Sequence, residues 1–124
     1  MKLGFLTNYS EEEVKFASEV GFTSLSLDAR PGTSLEPGRM TEEKVEKIKE
    51  TVKKYGIYIS AIGCYANPLD PDKEKRKEAV NYLLKVLDIC KMLDVKVFTG
   101  FPGRGAGVNV RENISLFKEV FSLL

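Results

Sequence analysis

The chain has 124 residues, 43% of them hydrophobic and 30% charged, with nineteen Lys plus Arg against eighteen Asp plus Glu. That length predicts one domain over residues 1–124, and the apolar fraction is enough for a buried core and excludes disorder by composition. A net charge of +1 leaves no electrostatic footprint for nucleic acid and no basic surface for an anionic membrane. Histidine is absent, which removes the commonest general acid–base side chain and any histidine-based triad.

Lys2 to Leu6 reads as the first strand. Ser10 caps the helix that follows, with Glu13 completing a capping box and Val14, Phe16, Ala17 and Val20 forming the apolar face. Gly21 ends it where a positive φ is wanted. Phe22 to Leu27 is the second strand, and the loop Asp28 to Met40 carries two Pro-Gly dipeptides. Thr41 caps the second helix, with Val45, Ile48, Val52 and Tyr55 at helical spacing and Gly56 as its stop.

Ile57 to Ile62 is the third strand, nearly continuous in apolar and small residues, as suits a parallel strand covered on both faces. The turn-rich run Asn67 to Pro71 precedes a long helix from Asp72 to Leu93. Val95 to Thr99 is the fourth strand, and the glycine-rich loop Gly100 to Gly107 leads to a fourth helix near Asn109. No run reaches the ~18 consecutive apolar residues of a membrane span. Two cysteines outside any CxxC pair, Cys64 and Cys90, read as reduced and buried, and the chain reads as cytoplasmic.

The helix-to-strand junctions repeat as Val20-Gly21-Phe22, Tyr55-Gly56-Ile57 and Leu93-Asp94-Val95, with strand starts 35 and 38 residues apart. The repeat predicts an α/β fold of four consecutive βα units with parallel strands, half of a (β/α)₈ barrel, since a whole barrel takes about 250 residues. An open flavodoxin-like sheet is the competing architecture, for which Leu6-Thr7-Asn8-Tyr9 offers a partial phosphate loop. The half-barrel reading leaves the first and fourth strands unpaired. It therefore predicts a homo-oligomer or association with a missing second half.

Several residues at the predicted strand ends are candidates for a site. Asp28 either hydrogen-bonds a substrate hydroxyl, or pairs with Arg30 or caps a turn. Cys64 lines a pocket or fills the core; without histidine to activate it, a nucleophilic role is not expected. Asn67 donates its amide to a ligand oxygen or fixes its own turn before Pro68. Gly103, Arg104 and Gly105 either cradle phosphate through backbone amides, with the Arg104 charge added, or belong to a mobile loop; the run is neither GxGxxG nor a P-loop. Asp70 and Asp72 flank Pro71 and read as helix capping rather than a metal pair.

The opening KLGFLTN, the junction EVGFTSLSLD and the block NPLDPDKEKRKEAVNYLLKVLDICKMLDVKVFTGFPG resemble the xylose-isomerase-like barrel superfamily of sugar phosphate isomerases/epimerases, ketose 3-epimerases and inosose dehydratases. The resemblance spans essentially the whole chain but only the first half of a family member. It implies a sugar isomerase or epimerase working by metal-assisted proton transfer beside a carbonyl, with Mn²⁺ or Mg²⁺ held by carboxylates and a histidine on later strands. The resemblance maps neither catalytic residues nor metal ligands onto this chain. It makes the chain scaffold and pocket wall, with Asn8, Asp28, Cys64, Asn67, Gly100 and Pro102 against a small sugar or polyol. The alternative is a non-catalytic half-barrel that binds a polyol or serves as a structural subunit by self-association. The zinc endonuclease branch ranks below the sugar branch, because it needs several histidines and a basic DNA face.

Overall fold

The computed structural model describes residues 1–107 and 109–124. Four strands, Gly4–Thr7 (β1), Ser24–Asp28 (β2), Tyr58–Gly63 (β3) and Phe98–Thr99 (β4), alternate with helices Glu11–Glu19 (α1), Glu42–Lys54 (α2), Lys73–Met92 (α3) and Val110–Phe121 (α4). A short 3₁₀ turn, Pro37–Arg39, precedes α2. The strands form one sheet in the order β1-β2-β3-β4, and every neighbouring pair is parallel. A doubly wound sheet must reverse its strand order at a switch point. This one never reverses, so the architecture is that of a barrel segment.

The three predicted junctions prove to be one hydrogen-bonded motif made three times. Gly21, Gly56 and Asp94 adopt φ of 91°, 66° and 55°. The next residue then donates its amide five residues back: Phe22 to the Ala17 carbonyl (2.9 Å), Ile57 to Val52 (2.9 Å) and Val95 to Cys90 (2.8 Å). This is the 6→1 bond of a Schellman cap. Asp94 does with a side chain what glycine does freely at the other two. Asp94→Gly is therefore expected to stabilise the fold by about 0.5 kcal/mol, the left-handed strain relieved outweighing the extra unfolded-state freedom. Its exposed ion pair with Lys96 offsets little. Thermal melts check this, and a lowered midpoint would contradict it.

Alternation and register divide the sheet into two faces. Phe5, Leu25, Leu27, Ile59, Ile62 and Phe98 lie on one face, packed with Val14, Ala17, Val45, Ile48, Val86 and Ile89 of the helices in one core. Gly4, Leu6, Ser24, Ser26, Asp28, Tyr58, Ala61, Gly63 and Thr99 lie on the other, which among the described residues lies outside that helix-packed core. Leu6 and Tyr58 are half exposed there, as is Val97 beside β4. Gly4 sits against Ser24, where a Cβ would come 2.5 Å from the Ser24 carbonyl oxygen. A bulge at Ser60 shifts the β2–β3 register, and the Ser60 hydroxyl donates to the Leu25 carbonyl at 3.1 Å.

Two local readings are corrected. The Ser10 hydroxyl accepts from the Glu13 amide at 3.1 Å, but the Glu13 carboxylate accepts from the Thr7 hydroxyl, so that capping box is half made. The reciprocal box belongs to α4, between Asn109 and Glu112. The fourth strand is two residues rather than five, because β4 has a ladder partner on one side only.

Candidate functional site

Three groups converge at the C-terminal edge of the uncovered face. Asp28 ends β2 and is 5% exposed. Its Oδ1 accepts the Arg30 backbone amide at 3.0 Å, and its Oδ2 accepts Nε–H at 2.8 Å with Nη2 at 2.6 Å. Burial of a carboxylate is unfavourable unless it is paired, and here one arginine supplies side-chain and backbone donors together. Asp28 in turn raises the Arg30 pKa through these hydrogen bonds and its charge. Of the two readings of Asp28, the geometry places the pairing with Arg30.

Gly63 ends β3 directly beside Asp28. A Cβ there would lie 2.9 Å from the Thr99 Oγ1 and 3.0 Å from the Tyr65 hydroxyl. Glycine thus lets Tyr65 fold back over the strand ends, where its hydroxyl stands 3.5 Å from that of Thr99. Phe101 follows β4, is 62% exposed, and tilts against Tyr65 with ring centroids 5.1 Å apart. The two rings, with Asn67, Pro102 and Arg104, line an open cleft of about 400 Å³. The sequence reading did not single out Tyr65 or Thr99, and Phe101 entered it only within the stretch from Gly100 to Pro102. A glycine closing a strand just before an aromatic was the available signal.

Cys64 is buried beneath this edge, and burial pushes its thiol pKa up. It lines an apolar cleft with Leu83, Phe98, Phe117 and Phe121. A protonated thiol in such surroundings packs rather than attacks. Cys90 is likewise buried and unpaired. Tyr82 donates from α3 to the Ala29 carbonyl at 2.8 Å, tying the β2–α2 loop down, and burial raises its phenol to about 12.

Asn67 fixes its turn and also reaches across to the next loop. Its Oδ1 accepts the amides of Leu69 (3.2 Å) and Arg104 (2.9 Å), while its Nδ2 donates to the Arg104 carbonyl at 3.0 Å. The Gly105 amide donates to Asn113 Oδ1 at 2.8 Å. The amides considered for a phosphate cradle at Arg104 and Gly105 are therefore committed within the protein. Gly103, at φ 85°, lies under the Asn67 side chain. Gly100 lies against the Cys64 carbonyl, which a Cβ would approach to 2.7 Å. Asn8, set after β1, accepts the Ser34 amide at 2.8 Å and holds the β2–α2 loop. Asp72 caps α3 through the Glu74 and Lys75 amides, and Asp70 accepts the Asp72 amide at 2.9 Å.

Comparison with known proteins fits this geometry. The family model described as xylose isomerase-like TIM barrel matches residues 14–124. The structure of D-psicose 3-epimerase in the presence of D-fructose superposes with a TM-score of 0.74 at 15% identity, over 98% of this chain and 46% of that one. The D-psicose 3-epimerase of Clostridium cellulolyticum H10, with D-tagatose, gives 0.69 at 19% identity, over 99% and 48%. Apurinic-apyrimidinic endonuclease 1 of Plasmodium berghei (strain Anka) is 37% identical over 75 residues, which are 56% of this chain and 14% of that protein. The chain thus spans about half the length of the solved structures and a smaller share of that relative. Among the described residues no helix is long and apolar enough to cross a membrane.

Proposed function

We propose, from the premise that this chain belongs to the xylose isomerase-like TIM barrel family, that it forms the first-half wall of the substrate pocket in a sugar isomerase or epimerase. The row formed by Asp28 with Arg30, Tyr65 over Gly63, Thr99 and Phe101 supports this reading most directly. A sugar presents hydroxyls at its edges and C–H groups on its faces. Tyr65 and Thr99 offer hydroxyls to the first, and the rings of Tyr65 and Phe101 offer apolar surface to the second. The site also lies at the C-terminal face, where the loops of a barrel build their pocket.

Family members of this kind use a divalent metal to polarise a carbonyl while a carboxylate moves the adjacent proton. The residues in hand do not fit such a metal. Asp28 is spent on Arg30, Asp70 and Asp72 on the start of α3, and among the described residues no three His, Cys, Asp or Glu side chains gather. This chain's part is to bind and orient. A cytoplasmic location is in keeping with its two unpaired cysteines.

Two titrations test the reading. D-Fructose added to the ¹⁵N-labelled chain is expected to shift the amides of Tyr65, Thr99 and Phe101, and calorimetry with Mn²⁺ is expected to show no stoichiometric site. Fructose shifts that avoid those residues, or tight one-to-one Mn²⁺ binding, would overturn it. The second reading is a non-catalytic half-barrel held by self-association, which the unpaired edges of β1 and β4 and the half-exposed Leu6, Tyr58 and Val97 favour. Sedimentation as a dimer, with no fructose shifts at the strand ends, would select it.

A further inference from the structure

The Arg30 guanidinium carries five N–H donors in one plane. Asp28 engages Nε and Nη2, and the same carboxylate takes the Arg30 backbone amide, so the plane of the fork is fixed at two points. The Nη1 donors have no protein acceptor among the described residues, and the side chain is 56% exposed. Its electrostatic neighbours besides Asp28 are Cys64 and Tyr65, which follow the end of β3.

An ordinary surface ion pair does not require this arrangement. Exposed pairs contribute little, and they leave both partners in water. Here the acid sits in the sheet beside Gly63, with Ser26 and Ala61 next along the same face, while the base reaches out of it. A buried carboxylate that orients an exposed guanidinium leaves one Nη1–H and the second Nη2–H side by side and open. Two oxygens of one carboxylate or phosphate match that spacing, and a lysine in its place would offer only a point charge.

We propose that Arg30, oriented by Asp28, is the recognition point for an acidic group on the substrate, so that the ligand is a sugar acid or a sugar phosphate rather than a neutral sugar. The inference rests on reading the strand ends as a pocket wall. It moves anion recognition from the committed amides of Arg104 and Gly105 to the strand on the opposite side of β3.

The test compares D-fructose, D-fructose 6-phosphate and D-gluconate as ligands of the ¹⁵N-labelled chain. At least one acidic ligand is expected to bind about tenfold or more tightly than fructose, the scale of a charge-assisted hydrogen bond. Preference for fructose 6-phosphate assigns a phosphate, and preference for gluconate a carboxylate. Arg30→Lys is expected to lose most of the gain. The pair Asp28→Asn with Arg30→Gln, which removes both charges together and so leaves no lone buried carboxylate, is expected to abolish it with the circular dichroism unchanged. Equal binding of all three ligands, or a preference that survives the double substitution, overturns the proposal. Fructose binding that persists in that case leaves the pocket-wall reading standing, and loss of all three ligands from the unmodified chain defeats both.

Discussion

Gly103→Ala is expected to destabilise the loop after β4 by about 2–5 kcal/mol and to release it from the loop after β3. Gly103 has φ 85°, where an L side chain is strained by about 1–2 kcal/mol. The added Cβ would also stand 2.6 Å from Asn67 Oδ1, 2.9 Å from Pro68 Cδ and 3.0 Å from the Leu69 amide nitrogen. Overpacking of that kind adds about 1–3 kcal/mol, because two of those three atoms belong to a proline ring and the main chain and cannot swing aside. Asn67 must move, and its bonds to the Arg104 amide and carbonyl go with it. Hydrogen exchange at the Arg104 and Gly105 amides is the readout. Protection retained at both in the alanine variant would show that the loop does not depend on the Asn67 contact. Because Phe101 and Pro102 ride on the same loop, the fructose response of Phe101 is expected to vanish together with that protection.

Ile62→Ala is expected to cost about 2–5 kcal/mol. Ile62 is fully buried in β3, between Leu27 and Phe98 in the ladder. The total stability available to a domain of this size is about 0.05–0.15 kcal/mol per residue, so the loss is a large share of it. Leu6→Ala removes a similar side chain from the opposite face, where it is half exposed, and is expected to change stability by less than about 0.5 kcal/mol. Denaturant titration of both variants makes the comparison. A Leu6→Ala cost as large as that of Ile62→Ala would mean that the uncovered face is covered in solution, and would favour the self-associated half-barrel.

The four βα units were legible because their signals are local. Apolar spacing marked the helices, and a glycine or Asp94 at each junction marked the point where the chain turns back to the sheet. The strand order was not legible, since nothing in β1 or β4 names its neighbour; the ladders supply it. The Asp28–Arg30 pair could be foreseen as one of two readings because its members are two residues apart. The Asn67–Arg104 clamp could not, because it joins residues 37 apart. Glu13 shows the converse failure: a local pattern predicted its partner, and a tertiary neighbour, Thr7, took it. The endonuclease branch ranked low on charge and histidine content, yet 75 residues of this chain are 37% identical to the Plasmodium berghei endonuclease.

The sequential order of the strands has a kinetic consequence. Among the described residues every strand pairs only with its neighbours in sequence, so none of these three ladders waits on a distant part of the chain. Loop closure at each step spans only one βα unit, and its entropy rises slowly with length. The sheet can therefore grow in the direction of synthesis, each new strand docking on an edge already in place as the chain emerges at about 5–20 residues per second. The growing species always carries one unsatisfied edge at its leading strand. That edge is the surface a nascent chain must keep from its neighbours, and β4, only two residues long, presents little of it.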